Sequence, residues 1–86
     1  MANHEVKITD DMTFDPTPKN VKKGDSIVWF NTTNDLHTAT ADDNTWNTGD
    51  IAGGARSKPI TFSTVGDSPY HCEYHGFMQG VVKISG

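Results

Sequence analysis

The chain has 86 residues, enough for one domain, and a chain this short buries only about 60% of the surface that it exposes when unfolded. Its formal net charge of −4 argues against nucleic-acid binding, which needs clustered lysines and arginines. The single cysteine excludes an intramolecular disulfide framework, and no apolar run approaches the length of about 18 residues that a membrane-spanning helix needs.

Strand signals dominate the first half of the chain. Val6 and Ile8 alternate with polar residues, as in a strand with one buried face. Two prolines within residues 16–18 predict a turn or a sheet edge, and residues 23–25 predict a tight turn. The strongest strand follows at residues 26–31, and because both of its faces are apolar, we expect it to be central between two layers.

The second half of the chain alternates polar loops with short strands. Residues 31–35 predict a polar loop that delivers His37, and residues 42–54 predict a long surface excursion. Three further strands are predicted, at residues 60–62, 69–72 and 81–84. Roughly seven short strands and no helical stripe indicate an antiparallel β-sandwich, formed by a single domain that spans residues 1–86.

Residues 72–78 contain the side chains with the clearest chemistry. Cys72, His75 and Met78 are spaced three residues apart, and His37 lies 35 residues upstream of the cysteine. One thiolate, two imidazoles and a weak axial thioether form the ligand set of an electron-transfer copper centre. The plainer alternatives are that Cys72 is a small buried hydrophobe and that Met78 fills a gap in the core.

Zinc is the chemical competitor for these donors. Structural zinc sites take four Cys or His ligands, and a catalytic zinc site needs an open position with a nearby carboxylate base. Methionine is a poor zinc ligand, and we expect Glu73 to face away from Cys72. Copper fits all four donors, whereas a two-copper centre bridged by two thiolates is excluded by the single cysteine.

The motifs that surround these donors resemble the cupredoxins, the family of small blue copper proteins. The similarity covers nearly the whole chain and is carried by three segments, residues 28–38, 47–55 and 66–82. The last segment is the most specific, and the two residues between His75 and Met78 correspond to the short form of the family's ligand loop. Three positions depart from the family's usual Pro, Asn and aromatic residue: Leu36, Thr38 and His71.

The resemblance implies an all-β, Greek-key β-sandwich of about seven to eight strands that holds one copper ion, cycling between Cu(II) and Cu(I), per chain. It implies His37, Cys72 and His75 as equatorial ligands and Met78 as the axial ligand. Because Thr38 directly follows the first ligand, we expect its backbone N–H to donate to the sulfur of Cys72.

The same resemblance implies that His75 is the ligand nearest to solvent and the exit for the electron. Phe77 and Met12 are candidates for an apolar collar around it, with core packing as the alternative for Phe77. His71 adjoins Cys72, so strand alternation turns it to the opposite side. We interpret His71 as a surface histidine, with a second point of electron entry as the alternative.

The function implied is that of a type 1 (blue) copper protein, a one-electron carrier between redox proteins such as cytochrome-like donors and acceptors. We expect a monomer with no enzymatic activity, no nucleic-acid partner and no membrane span. The usual location of the family implies a periplasmic or extracellular protein, although no leader is visible.

Two alternatives stay open: a copper-trafficking or storage protein of the same fold, and an open-site copper or zinc enzyme in which water replaces Met78. A domain of a multicopper oxidase is disfavoured because the chain lacks a further His-x-His pair.

Overall fold

The computed structural model describes all 86 residues and arranges them as two four-stranded sheets packed around one core. The strands are β1 (Asn3–Ile8), β2 (Phe14–Asp15), β3 (Lys19–Lys22), β4 (Ser26–Asn31), β5 (Thr40–Ala41), β6 (Ile60–Thr61), β7 (Gly66–His71) and β8 (Gln79–Ser85). No helix that could cross a membrane is present. The predicted all-β, Greek-key sandwich of about seven to eight strands is therefore confirmed.

Strands that are neighbours in a sheet are mostly distant in sequence, because the chain passes repeatedly from one sheet to the other. The first sheet has the order β2-β1-β4-β6 and the second has the order β3-β8-β7-β5. β1 pairs with β4 and β3 pairs with β8 in parallel, whereas the other pairs are antiparallel. The expectation of a wholly antiparallel sandwich was wrong for these two pairs, since crossover connections return the chain in its original direction.

β4 is buried on one face only. Ile27, Trp29 and Asn31 are buried, while the residues between them are partly exposed. The guanidinium of Arg56 lies 4.0 Å above the ring of Phe30 on the outer face and covers it. The prediction that both faces of this strand are enclosed was therefore wrong, because a two-layer sandwich encloses only the inner face of each strand.

Aromatic side chains fill the core and hold the long excursion against it. Trp29 and Tyr70 are fully buried and meet edge to face, with ring centroids 5.4 Å apart. Trp46, from the excursion, stacks on Trp29 at 5.1 Å and donates its indole N–H to the hydroxyl of Ser68 at 2.8 Å. One aromatic side chain thus holds residues 42–54 against the sandwich. The position of this stretch matters because it borders the donor residues described below.

A close approach between β7 and β8 requires glycine at position 80. A Cβ atom on Gly80 would lie 2.6 Å from Cζ and 2.7 Å from the hydroxyl oxygen of Tyr70, whose ring is fully buried. We expect Gly80→Ala to lower the free energy of unfolding of the metal-free protein by about 2 kcal/mol through overpacking, measured by urea denaturation. Gly76→Ala is the matched control, since a Cβ there meets nothing within 4 Å. Equal losses in both variants would contradict the steric explanation.

Candidate metal centre

A buried asparagine fixes the loop that delivers His37. Oδ1 of Asn31 accepts the N–H and the hydroxyl of Thr33 at 3.0 and 2.7 Å. Its Nδ2 donates to the carbonyls of Asp35 at 2.7 Å and Ile51 at 2.8 Å. The backbones of His37 and Ile51 also exchange two hydrogen bonds, of 3.2 and 2.7 Å. The first donor therefore sits on a loop that is anchored at both ends.

The second donor segment closes on itself through its own backbone. The N–H of Cys72 donates to the carbonyl of Met78 at 3.1 Å, that of His75 donates to Cys72 at 3.3 Å, and that of Met78 donates to His75 at 2.8 Å. Cys72 and Met78 are buried, and His75 is half-buried. The spacing of three residues thus becomes a compact turn that directs its side chains toward the loop of His37.

Three of the four predicted ligands converge in space. The Nδ1 atoms of His37 and His75 each lie 3.7 Å from the sulfur of Cys72. The three donor atoms all lie within 4.8 Å of one another, and no other histidine, cysteine or carboxylate joins the group. Because bonds from imidazole nitrogen and thiolate sulfur to a metal ion measure about 2.0–2.3 Å, donors at these separations can contact one ion. The residues present therefore fit a soft transition-metal ion.

The electrostatics of the cluster suit a neutral imidazole at His37. Burial lowers the pKa of His37, and the nearby His75 lowers it further, against a smaller opposing effect of Asp35. Metal binding requires the neutral ring, so this direction favours ligation. The Nε2 atom of His37 is buried without a hydrogen-bond partner, so the Nδ1 side faces the other donors and the ring is oriented by packing.

A backbone donor reaches the sulfur where the sequence predicted it. The N–H of Thr38 lies 3.4 Å from the sulfur of Cys72. Such a bond withdraws electron density from a thiolate ligand and tunes the potential of a bound metal. The carboxylate of Glu73 does not belong to the donor group and accepts a hydrogen bond from the side-chain amide of Asn47 at 3.0 Å.

Met78 lies buried at the end of the donor loop and belongs to the main core cluster. Its position next to the donor turn agrees with either a core role or an axial ligand role. Ligation by its thioether stays a prediction.

The rim of the cluster is partly apolar. Phe77 is 71% exposed, and its ring meets that of His75 edge to face at 6.1 Å, so it belongs to the surface beside His75 rather than to the core. Met12 is partly buried and packs against the core, and its place in an apolar collar stays a prediction. The hydroxyl of Tyr74 donates to Asp50 at 2.7 Å, and this hydrogen bond raises the pKa of Tyr74. Tyr74 thereby links the donor loop to the long excursion.

His71 has a partner that sequence reasoning missed. Its Nδ1 lies 2.6 Å from a carboxylate oxygen of Asp42, and its side chain is half-buried. It does not belong to the group of donors around Cys72. The pairing of β5 with β7 brings Asp42 and His71 together, and neither residue carries a local signal of that contact.

The comparisons with known proteins agree with the fold and show the family. The family model described as "Copper binding proteins, plastocyanin/azurin family" matches residues 2–85. A purple cupredoxin from Nitrosopumilus maritimus has 20% identity and a TM-score of 0.85, with 94% of this chain and 98% of that chain covered. A mutant of amicyanin in the Cu(I) form has 26% identity and a TM-score of 0.84, with coverage of 94% and 80%.

A larger protein contains a similar fold as one part. The copper-containing nitrite reductase from Thermus scotoductus SA-01 has 21% identity and a TM-score of 0.85, with 95% of this chain and 22% of that chain covered. A search of curated protein sequences finds no match. At these identities the likeness to the purple cupredoxin and to the reductase concerns the fold alone.

Proposed function

This chain belongs to the plastocyanin/azurin family of copper-binding proteins, and on that basis we propose that it is a type 1 (blue) copper protein that carries single electrons between redox proteins. The observation that carries the proposal is the convergence of His37, Cys72 and His75 within 4.8 Å. We propose Met78 as the axial ligand and one copper ion per chain. A copper ion held there would supply a one-electron couple, Cu(II)/Cu(I).

The donor set supports copper over zinc and an electron carrier over an enzyme. A structural zinc site would need a fourth strong donor, and the cluster contains only three histidine or cysteine side chains. A hydrolytic site would need a carboxylate base, and no aspartate or glutamate belongs to the group. These two absences within the cluster favour a site that binds an ion without turning over a substrate.

The surrounding residues have the task of holding the donors in one arrangement in both redox states. The four hydrogen bonds of Asn31 restrain the loop of His37, and the backbone bonds within residues 72–78 restrain the other donors. The N–H of Thr38 lowers the electron density on the sulfur of Cys72. Donors restrained in this way need little rearrangement when an electron arrives or leaves.

We propose that redox partners approach at His75. Its half-buried ring lies beside the exposed Phe77, so this face offers a partner the shortest approach to the donors. The net charge of −4 favours a partner with a basic surface, and encounters between redox proteins are small and transient. We propose that the protein is a monomer of one domain, residues 1–86. As is common in the family, we propose a location in the periplasm or outside the cell, with cytochrome-like proteins as partners.

The test is the addition of Cu(II) to the metal-free protein. We expect an intense thiolate-to-copper absorption in the visible range, a small hyperfine splitting in the paramagnetic resonance spectrum, one copper per chain by native mass spectrometry, and reversible voltammetry. A colourless complex would exclude ligation by Cys72. An exchangeable water on the ion would favour the open-site enzyme, and slow electron self-exchange would favour trafficking or storage.

A further inference from the structure

A closed ring of hydrogen bonds lies beside the donor cluster and begins and ends on one residue, Glu73. Its backbone N–H donates to the hydroxyl oxygen of Thr38 at 2.9 Å. The hydroxyls of Thr38 and Thr40 lie 3.1 Å apart, and that of Thr40 lies 3.2 Å from a carboxylate oxygen of Glu73. The two threonines are only 1% and 2% exposed, so their hydroxyls depend on these partners rather than on water.

The direction of the proton donors in the ring follows from the neighbours of Thr40. Besides Thr38, its hydroxyl meets only acceptors, Oδ1 of Asn47 at 3.1 Å and Oε1 of Glu73. The amide of Asn47 is oriented by Gly49, whose N–H donates to Oδ1 at 2.7 Å. Thr40 must therefore donate to one of these acceptors, which leaves Thr38 as the donor to Thr40. The oxygen of Thr38 is then free to accept the N–H of Glu73.

Oε1 of Glu73 can accept the hydroxyl of Thr40 with or without a charge on the side chain, and Oδ1 of Asn47 is already used by the N–H of Gly49. Asn47 is not an independent substitute, since its own Nδ2 donates to the same Oε1 of Glu73 at 3.0 Å. Loss of that oxygen would therefore loosen both acceptors of Thr40 together. In the intact ring each hydrogen bond polarises the next, which strengthens all of them.

The ring acts on the donor cluster through Thr38. This residue receives the N–H of Glu73 on its hydroxyl and gives its own N–H to the sulfur of Cys72. Two hydrogen bonds, one donated by each segment, thus join residues 37–38 to residues 72–73. Each segment contains one candidate metal ligand, His37 or Cys72. We propose that Glu73 is a positioning residue for the metal centre, because its carboxylate oxygen closes the ring that holds Thr38 on the sulfur of Cys72. The proposal rests on copper binding as proposed above.

Four variants separate the acceptor role of Glu73 from its charge. Thr40→Val removes the hydroxyl but keeps the charge, and Glu73→Ala removes both the oxygen and the charge. Glu73→Gln keeps an acceptor oxygen without the charge, and Thr40→Ser keeps the hydroxyl. We expect hydrogen exchange at the amides of Thr38 and Glu73 to accelerate about fivefold in Thr40→Val and Glu73→Ala, the factor expected for one lost hydrogen bond. The Gln and Ser variants should behave like the unaltered protein.

The same four variants are then loaded with Cu(II). We expect a displaced thiolate absorption band and about fivefold faster copper release to a chelator in Thr40→Val and Glu73→Ala, with neither change in the conservative variants. An unaltered band and release rate in Thr40→Val would overturn the inference, and so would a Glu73→Gln variant that behaves like Glu73→Ala, since charge alone would then explain the effect.

Amide exchange in the metal-free protein keeps this test independent of the proposed function. If the unaltered protein gives no thiolate absorption with copper, the proposed function fails, and Glu73 is then not a positioning residue for a metal centre even if the ring itself is present. If the unaltered protein gives the absorption and amide exchange is the same in all variants, only the role of Glu73 fails.

Discussion

Replacement of Cys72 with alanine is expected to abolish the intense visible absorption of the copper-loaded protein. The chain has no other thiol, and the sulfur lies between the two imidazoles of the cluster. Loss of a residue that only supports a metal ligand lowers metal affinity by up to about 100-fold. Because Cys72 is proposed as a direct ligand, we expect copper affinity to fall by more than that. Competition with a chelator of known affinity measures the loss.

The matched control for this prediction is His71→Ala, next to Cys72 in the chain. Its imidazole pairs with Asp42 and does not belong to the donor group, so the absorption and the affinity should persist. Urea denaturation of the metal-free Cys72→Ala variant shows whether the fold survives removal of a small buried side chain, for which we expect a cost of about 1 kcal/mol. Copper binding unchanged in Cys72→Ala, or lost in His71→Ala, would show that the donor set is wrong.

Replacement of Asn31 with alanine is expected to lower the free energy of unfolding by about 3 kcal/mol. The variant loses four side-chain hydrogen bonds and leaves the buried N–H of Thr33 without an acceptor, while the carbonyl of Ile51 keeps only the N–H of His37 as a donor. Copper affinity should fall as well, since His37 lies on the loop that this side chain restrains. Urea denaturation and chelator competition measure the two effects.

Two further asparagine variants test the anchoring role of Asn31. Asn34→Ala alters an exposed asparagine in the same loop and should change the stability by less than about 0.5 kcal/mol. Asn31→Asp keeps the shape but replaces the amide donor with an acceptor that faces the carbonyls of Asp35 and Ile51, so it should destabilise at least as strongly as alanine at neutral pH. A loss below about 1 kcal/mol in Asn31→Ala would contradict the anchoring role.

Local patterns predicted the longer strands and the segment that carries most of the candidate donors, but not the short strands β2 and β5. The alternation at Val6 and Ile8 corresponds to β1, because burial of one face leaves a period of two in the sequence, and the apolar run through Trp29 corresponds to β4. The spacing of Cys72, His75 and Met78 predicted the donor turn for a similar reason, since the turn closes through backbone bonds within seven residues.

Contacts between distant segments of the chain had no local sequence pattern that could predict them. Asn31 looked like the first residue of a polar loop, and only its place two residues after Trp29 indicated the buried face. The contacts of Thr40 with Glu73 and of Asp42 with His71 depend on the pairing of β5 with β7, which no local pattern specifies. The parallel pairing of β1 with β4 was missed for the same reason.

The parallel pairing of β3 with β8 also bears on how the chain reaches its native state. The hydroxyl of Ser85 reaches the carbonyl of Val21 across 64 positions of sequence, so the second sheet closes only after a long search by the unfolded chain. Domains dominated by such distant pairings fold in about milliseconds to seconds rather than microseconds. Because the turn at residues 72–78 directly precedes β8, we expect His37 and the donors of this turn to come together only when the second sheet closes.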